Sequence, residues 1–354
     1  MPAAAPNFDV IVKGAEITDG HIVSFVIERD LNQPDMAAIV VDNQDDAYSK
    51  KWSIGDPIEI KVGDDKKQIF KGQVIGFEGV YSGGKKTTLL LRAMNGMHRM
   101  LRQRKSMTYT EKQDKDILSQ VCSENGLTLE YDGPSITYKH VYQHNQTDLE
   151  FLRTRAARIG CHVWCVDTKV YVKEPKFDKM GSLELSVDEG GLLRTFMPRI
   201  SSASVVKKVT VKGWDPEKKE LIVGQQAALP TKLGSMTAVA ATGDLAPEET
   251  FTVDHPIWSV EEAKALAKAR VRELNLTFMT AEAECGGNAD ADLGEVIKVT
   301  ANKKDGADPF NGKYYIVGIT HRQSQAKAKS KASGGANEGG YTTTYRLARD
   351  AQKA

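Results

Sequence analysis

Two cysteines and two histidines offer the best starting point for metal or nucleophile chemistry in this chain. Cys161 and Cys165 are four residues apart in a predicted strand, so they share a face, and His140 and His144 would do the same. The spacing lacks the Cys-x-x-Cys knuckle of structural zinc sites. A Cys–His nucleophile using His140 or His255 would need thiols that we expect to pack inside a hairpin. We therefore interpret both cysteines as small buried hydrophobes and predict no metal site.

Other catalytic motifs are absent from the sequence. It contains no Gly-x-Ser-x-Gly, no His-Glu-x-x-His and no Walker-type phosphate loop. Aspartate and glutamate are abundant, but paired-carboxylate hydrolysis depends on a spatial separation that a sequence does not show. We predict no catalytic residue, no cofactor and no enzymatic activity.

The composition is that of an ordinary globular protein. In 354 residues, 48 basic and 47 acidic side chains give a formal net charge of +1, which provides no general attraction to nucleic acid or anionic membranes. No stretch approaches the roughly 18 apolar residues of a membrane span, and residues 1–6 lack the pattern of a secretory signal. Four cysteines are too few for a disulfide framework. We expect two to four domains and production in the cytoplasm.

Short strands dominate residues 8–95. Six segments are rich in β-branched residues and are separated by Gly, Asp and Asn turns. They are Asp9–Val12, Ile22–Ile27, Ala38–Val41, Pro57–Val62, Lys71–Phe77 and Thr87–Arg92. Asp64-Asp65 and Ser82-Gly83-Gly84 are predicted turn tips. Six short strands without a long helix predict a barrel or a sandwich.

The middle of the chain, residues 105–176, has the pattern of a small α/β unit. Capping boxes at Thr110–Gln113 and Thr147–Glu150 each predict the start of a helix, and Gly126 and Gly160 predict the ends. A hairpin is predicted from Cys161 to Val172, with its turn at Asp167-Thr168.

From about residue 181 the chain is again mainly β. Strands are predicted at Val205–Gly213 and Lys219–Val223, and a third capping box at Ser259–Glu262 opens an alanine-rich helix that continues to about Leu274. The segment Gly224–Thr252 is predicted to be an extended loop. Ala326–Gly340 is low in complexity and is predicted to be a hairpin tip.

A strand-and-turn pattern occurs twice, about 240 residues apart. In each copy a strand leads to Phe-x-Gly, then to a second strand, a Gly/Lys loop and a third strand that begins with threonine. The first copy comprises Ile58–Val62, Phe70–Gly72, Val74–Phe77 and Thr87–Arg92, and the second comprises Glu295–Val299, Phe310–Gly312, Ile316–Ile319 and Thr342–Leu347. Two extra residues in the second copy keep the strand faces in phase. Such patterns also recur by chance, so the duplication is a hypothesis.

One segment of the middle unit carries a family resemblance. Gln143, Thr147-Asp148 and Phe151-Leu152 are followed by a helical stretch and a closing Gly160. The run resembles a signature of the contractile-tail baseplate hub family, which includes phage late control protein D and the N-terminal hub module of type VI secretion VgrG proteins. Family members usually carry an arginine two residues after the Phe-Leu pair, where this chain has Thr154 between two arginines.

Three further stretches resemble the same family, and the resemblance then covers about residues 8–350. They are Val211–Pro216, Asn311–Val317 with His321, and Gly339–Thr343 running to Arg349. The resemblance implies a homotrimeric hub in which each subunit carries two tube-like β-barrels, so that six barrels match a hexameric inner tube above and a threefold spike below. Because hub modules of VgrG continue into a spike and this sequence stops at Ala354, we expect the spike on a separate polypeptide.

The resemblance implies the fold class and the domains. We expect a mainly β fold with an α+β middle unit: a first tube-like barrel at 1–104, a small α/β domain at 105–176, and a second barrel at 177–354 with an inserted loop and helix at about 224–276. Expected partners are the inner tube protein, the separate spike protein, the tape-measure protein and other baseplate components. The protein would be made in the producer cell and assembled into a phage, tailocin or extracellular injection particle.

The residues that would act in such a hub are interfacial. The candidates lie on the repeated strands, and one is a tryptophan next to a predicted turn, since large aromatic side chains often dominate interfaces. They are Ile58, Ile60, Val74, Phe77, Val296, Val299, Ile316, Ile319 and Trp214. Burial in the chain's own core is the alternative for each. Two other functions remain open at this point: a β-barrel adhesin that binds carbohydrate, and an envelope-degrading enzyme.

Overall fold

The computed structural model describes residues 7–81, 87–187, 192–253, 255–324 and 340–353. The predicted turn at Ser82–Gly84 and all but the last residue of the predicted hairpin tip Ala326–Gly340 lie outside these ranges. Strands account for most of the ordered elements. The described ranges contain four α-helices: α1 (Asp114–Glu124), α2 (Asp148–Arg158), α3 (Ala238–Thr242) and α4 (Val260–Leu276).

The strands fall into groups along the chain. Before α1 they are β1 (Phe8–Val12), β2 (Ala15–Glu16), β3 (Ile22–Asp30), β4 (Met36–Asp42), β5 (Pro57–Val62), β6 (Lys67–Val80), β7 (Thr88–Met94) and β8 (Arg104–Gln113). The middle unit continues with β9 (Thr128–Asp132), β10 (Thr137–Thr147), β11 (His162–Val166) and β12 (Lys169–Lys173). The remainder are β13 (Met180–Ser186), β14 (Leu193–Ile200), β15 (Lys208–Asp215), β16 (Glu220–Ala227), β17 (Met236–Thr237), β18 (Glu248–Thr252), β19 (Met279–Gly286), β20 (Val296–Thr300), β21 (Gly312–Ser324), β22 (Gly340–Arg349) and β23 (Ala351–Gln352).

The fold class predicted from the sequence is confirmed: the protein is mainly β, with curled sheets and an α/β middle unit. The two predicted barrels are the two halves of one continuous 13-stranded sheet. Its strand order is β14-β19-β22-β21-β3-β4-β7-β6-β5-β1-β2. Beside this path, β20 pairs with β21, and β13 pairs with the other edge of β20. We call β3–β7 the first barrel module, and β14 with β19–β22 the second barrel module.

The two modules have the same strand pairing in the same chain order. In the first, the order across the sheet is β3-β4-β7-β6-β5, and in the second it is β14-β19-β22-β21-β20. Gly55 and Gly294 both have positive φ and both donate a backbone hydrogen bond to the second strand of the meander, to Val74 (2.8 Å) and Ile316 (3.1 Å). In turn, the N–H groups of Val74 and Ile316 donate to the carbonyls of Asp56 and Glu295, which directly follow the two glycines, each at 2.9 Å. The modules are therefore alike down to individual backbone contacts.

Two β-bulges occur at equivalent places in both modules. One lies between Val74 and Gly76 of β6 and recurs between Ile316 and Gly318 of β21. In each case the glycine then pairs with an arginine, Arg92 or Arg346. The other bulge lies between Ile22 and Ser24 of β3 and recurs between Leu193 and Thr195 of β14. Since a bulge shifts register and twist locally, its repetition at both places supports duplication over chance recurrence.

The structural equivalence corrects the alignment of the repeat. The glycine–arginine pairs show that Arg92 is equivalent to Arg346, not to Leu347, so the third strands align one residue differently from the sequence pattern. Leu91 then corresponds to Tyr345, and both are buried. A one-residue slip exchanges the two faces of a strand, so burial decides the register.

The middle unit packs α1 and α2 against short sheets. Thr147 and Glu150 form the predicted capping box of α2, and Gly160 adopts positive φ at its end. The predicted capping box at Thr110 is wrong. Thr110 pairs with His140 in a ladder with β10, so β8 continues to Gln113. Helix α1 begins at Asp114 without a side-chain cap. The ladder satisfies backbone groups that the predicted first turn would have used.

The inserted region between β14 and β19 forms a unit of its own. Helix α4, capped by Ser259 as predicted, packs on the sheet β16-β15-β18. The predicted loop Gly224–Thr252 was partly wrong, because it contains α3, β17, β18 and the end of β16. Its alanine-, threonine- and glycine-rich composition masked pairing that depends on distant partners such as β23.

A buried ion pair joins α1 to α2. Asp114 accepts from Arg155 Nε at 2.6 Å and from Nη2 at 3.0 Å, and both side chains are almost fully buried. The guanidinium also lies over the ring of Tyr138. Bidentate geometry compensates part of the desolvation of both charges.

We predict that Arg155→Ala destabilises the middle unit by about 3–5 kcal/mol, because the Asp114 carboxylate is left buried without its partner. Arg153→Ala, at an exposed position of the same helix, should change stability by less than about 0.5 kcal/mol. Urea unfolding followed by circular dichroism measures both. An Asp114→Asn/Arg155→Met variant should recover part of the loss, and equal losses in Arg153→Ala and Arg155→Ala would contradict this role.

Candidate assembly interface

The nine predicted interface residues lie in three environments. Seven are buried inside the chain: Ile58, Ile60, Val74, Val296, Val299, Ile316 and Ile319. Phe77 is half-buried, and Trp214 is 52 % exposed. The seven buried residues lie in the core of the chain itself, which was the alternative to an interface. An interface on these strands would therefore use the residues next to them that point outward, and it stays a prediction.

The two barrel modules meet in a backbone ladder between β3 and β21. The first four residues of β21 pair with β20, and the stretch from Gly318 to Ser324 pairs with β3 on the same side. The ladder extends by one bond, from Leu31 N–H to the Val317 carbonyl at 3.1 Å. Asp30 forms an ion pair with Arg346 across it. We call this contact the internal joint.

Ionic contacts surround the internal joint. Arg29 lies 3.1 Å from Asp35 Oδ2 and 2.9 Å from Asp292 Oδ1, so it connects the first module to the loop before β20. Burial of Asp35 raises the pKa of its carboxyl to about 6, against the opposing effect of Arg29. Because Arg29 and Asp35 are both buried, breaking either partner would leave a charge without compensation.

His321 is buried behind the internal joint, opposite Ile27 in the β3–β21 ladder. Its Nδ1 lies 2.8 Å from the Tyr341 hydroxyl and 3.2 Å from Thr343 Oγ1. Burial, together with the smaller effect of the Arg29 charge, lowers the pKa of the imidazole to about 3. Tyr341 itself belongs to the core of the first module although it lies on β22, so these side chains couple the two halves of the sheet.

Exposed apolar side chains lie at two further strand edges of the long sheet. On β6 and just after it, Val80 and Tyr81 are 54 % and 68 % exposed, and on β14 Met197 is 56 % exposed. Beyond Gln73, β6 pairs with β7 alone among the described strands, and β14 pairs with β19 alone. Unpaired strand edges with apolar side chains are typical sites of strand addition.

A third exposed apolar surface lies on β15 and β16. Trp214 is directly opposite Leu221, and Val223 is opposite Lys212 on the same face. The other face of this sheet, including Val211 and Ile222, packs in the core under α4. Trp214, Leu221 and Val223 therefore form a solvent-facing cluster, here called the Trp214 patch. It contains the one exposed tryptophan of the chain; Trp52, Trp164 and Trp258 are half-buried.

The cysteines and histidines considered first do not converge. Cys161 and Cys165 face the core of the middle unit, and burial raises the pKa of the Cys161 thiol to about 12. His140 and His144 are exposed on β10. Within the described ranges, no group of three or more His, Cys, Asp or Glu side chains is placed to hold a metal ion.

Four lysines line a cavity on the described surface of the protein. A cavity of about 540 Å³ beside β20 is lined by Lys232, Lys298, Lys303 and Lys313 together with backbone and amide groups. Its lining holds no carboxylate and no nucleophilic thiol that could act with these lysines. In the part of the chain that the structure describes, no helix combines the length and the apolar character needed to cross a membrane.

Solved structures with the same architecture are tail proteins. A tail protein of Neisseria meningitidis MC58 superposes with a TM-score of 0.73 at 14 % identity, over 98 % of this chain and 97 % of that one. The 43 kDa tail protein of prophage MuSo2 from Shewanella oneidensis gives 0.70 at 14 % identity, over 99 % and 100 %. An Escherichia coli component of the type VI secretion system, described as similar to T4 tail proteins gp27 and gp5, gives 0.60 at 13 % identity, over 98 % and 75 %.

The chain therefore has the fold of phage tail and type VI secretion proteins. A family model described as the Alg8 N-terminal domain matches residues 3–325. The chain belongs to the Alg8 N-terminal domain family. No curated protein matches the sequence. The tail-hub fold expected from the sequence is confirmed at the level of fold, whereas the family is a different one from those named by the resemblance.

We predict that His321 makes the protein acid-sensitive. The imidazole binds a proton near pH 6.5 when unfolded and near pH 3 when folded, so the unfolded state takes up more protons and stability falls as pH drops through this window. The expected slope from this group is about 1.4 kcal/mol per pH unit. Replacing His321 with Gln should lower stability at pH 7.5, and this penalty should shrink by pH 5.

Unfolding free energies of the parent and His321→Gln, measured at pH 7.5, 6 and 5, provide the test. His144→Gln is the matched control, because its ring is exposed to solvent in the folded chain, and its curve should run parallel to that of the parent. A His321→Gln penalty that is the same at all three pH values would refute the prediction.

Proposed function

We propose that this protein is the structural hub of the baseplate in a contractile injection machine, with the role of late control protein D or of the hub module of VgrG. In this role a homotrimer connects a sixfold inner tube to a threefold spike. The observation that carries the proposal is the repeated barrel module, with the same strand order, the same bulges and the same register. Two equivalent modules in one chain supply six ring positions from three chains.

The proposed hub keeps the division of the chain expected from its sequence. Residues 1–104 and 177–354 provide the two ring modules, and residues 105–176 form a small unit beside them. The cores support this division, because the middle unit has a hydrophobic cluster of its own, and so does the inserted sheet under α4. The internal joint then fixes the angle between adjacent ring positions.

The hub would act by binding and not by turnover. Its partners are further copies of itself, an inner tube protein, a spike protein and other baseplate components such as the tape-measure protein. It would be made in the cytoplasm of the producer cell and would function in a phage, tailocin or extracellular injection particle. All four cysteine thiols are buried, which supports a role in which no thiol acts as a nucleophile.

The first test is the assembly state. We expect light scattering to give about three times the 38.9 kDa chain mass, and images of the particle to show a threefold ring with pseudo-sixfold symmetry. The purified chain should also bind a tube protein encoded beside it. A stable monomer that binds neither tube nor spike would refute the hub. Binding to a glycan array or cleavage of peptidoglycan would instead support an adhesin or an enzyme.

A second prediction concerns the Trp214 patch, which we propose contacts another subunit or baseplate protein. Trp214→Lys should leave the chain folded, since the indole is 52 % exposed, but should weaken assembly by about 2 kcal/mol or more, as expected for an aromatic anchor. Leu245→Lys, which replaces a side chain that is 75 % exposed elsewhere, is the matched control. Sedimentation of both variants checks this, and unchanged assembly by Trp214→Lys would contradict it.

A further inference from the structure

The internal joint joins two strand edges that each have an equivalent elsewhere in the same chain. It is an antiparallel ladder between β3 and the distal part of β21. By strand order and by the shared bulges, β3 corresponds to β14, and β21 corresponds to β6. The chain therefore contains a second pair of edges with the same geometry, on β14 and on the distal part of β6, and these two edges are not paired with each other.

The side chains at these open edges are less buried than their equivalents in the internal joint. Phe25 on β3 is 1 % exposed, whereas its equivalent Phe196 on β14 is half-buried. Ile319 on β21 is likewise fully buried, whereas its equivalent Phe77 on β6 is half-buried. A strand paired along these edges would cover the exposed parts of both aromatic side chains.

The glycine at the bulge shows the same difference. In the internal joint, a Cβ on Gly318 would collide with Arg346 and Asp30, which form the ion pair there. A Cβ on Gly76, the equivalent position of β6, would meet nothing within 4 Å. The space beside Gly318 is filled by the Asp30 carboxylate of the neighbouring strand β3 and by the Arg346 guanidinium of β22, whereas the space beside Gly76 is open.

We propose that β14 of one copy pairs antiparallel with the distal part of β6 in the next copy, so that the internal joint is repeated between chains. The number of copies, three, rests on the proposed function, but the contact itself is derived from the repeat. Copying the register of the internal joint gives each residue a defined partner. Ile200 faces Phe77, Arg199 faces Glu78, Met197 faces Val80, and Phe196 faces Tyr81.

The partners produced by this register are chemically matched. Ile200–Phe77, Met197–Val80 and Phe196–Tyr81 are three apolar pairs, and Arg199–Glu78 is a pair of opposite charges. Apolar and opposite-charge pairs are the cross-strand combinations that stabilise antiparallel sheets. Met197, Val80 and Tyr81 are each more than half exposed in the single chain, so their burial would contribute to association.

Pro198 limits which partner the β14 edge accepts. Ser201 donates its backbone N–H to Phe278, on the inner side of the strand, so alternation points the backbone groups of Ile200, Pro198 and Phe196 to the open edge. Pro198 has no N–H, which removes one bond from any ladder at this edge and disfavours indiscriminate pairing. In the proposed register Pro198 faces Gly79, whose N–H can still donate to the proline carbonyl.

The contact joins two different edges, so it is heterologous and repeats from head to tail. Such contacts form rings when the rotation between copies closes. The internal joint and the proposed contact would then alternate around the ring, and each would hold one module against the next. No edge of the barrel modules would remain free in the closed ring.

Disulfide trapping tests the register. In Val80→Cys/Met197→Cys, oxidation should link chains into covalent dimers and trimers on a non-reducing gel. Neither single variant should link to itself, because a head-to-tail contact never brings residue 80 of one chain to residue 80 of another. The four native cysteines are buried and free, so they should not compete. Mixing the two single variants should give covalent heterodimers alone.

Two matched controls calibrate the geometry. Val26 and Arg322 are direct partners in the internal joint and correspond to Met197 and Val80, so Val26→Cys/Arg322→Cys should form a disulfide within one chain. Val80→Cys/Arg199→Cys keeps the face but moves one partner by two residues, and its linked fraction should be about tenfold lower, since the Cα separation exceeds the usual disulfide range.

The outcomes separate this inference from the proposed function. Chain-to-chain linking through residues 80 and 197 supports the contact. If the protein is trimeric and the Val26/Arg322 pair links, but residues 80 and 197 do not, the contact is wrong and the hub stands. A protein that stays monomeric and unlinked at every concentration tested contradicts both the contact and the hub.

Discussion

The structure depends on one strand that serves two neighbours along the same edge. β21 is 13 residues long, and it pairs with β20 near its start and with β3 beyond its bulge. Unpaired backbone groups at a sheet edge must find partners or solvent, and β3 satisfies the part of the edge that β20 is too short to reach. Two curled sheets thereby become one, and their relative orientation is set by backbone hydrogen bonds more than by a flexible linker.

Side-chain contacts follow from this constraint. Because β3 lies against β21, Tyr341 can enter the core of the first module, and Arg29 can reach Asp292 before β20. These groups would be far apart in two separate barrels. Opening the joint is costly, because it would break the ion pair between Arg29 and Asp292 and would expose the apolar core that Tyr341 enters.

Local sequence patterns predicted the elements well where local physics decides them. Pro57–Val62 is a strand with the predicted bounds, and Thr147–Glu150 caps α2 because its side chains and backbone satisfy each other within one turn. Thr110 has the same pattern but lies in a strand, since a ladder with β10 competes successfully for its backbone. The repeat was visible as a pattern, yet its register was not, because bulges are invisible in spacing alone. The residues of the proposed interface were the hardest to predict from the sequence. Apolar strand residues such as Ile58 and Val296 form the core, whereas Met197 and Val80 stand on the opposite face, where the pattern leads one to expect polar residues.

The difference between Gly76 and Gly318 has a consequence for variation. Two genes that encode two kinds of subunit would ordinarily be needed to make neighbouring positions of a ring different from each other. In the proposed ring, a mutation at Gly318 would act at a contact that forms as the chain folds, whereas the same mutation at Gly76 would act at a contact that forms on assembly. Natural selection could therefore change the contact between chains separately from the internal joint. Such changes would alter how readily the ring closes without altering how the chain folds.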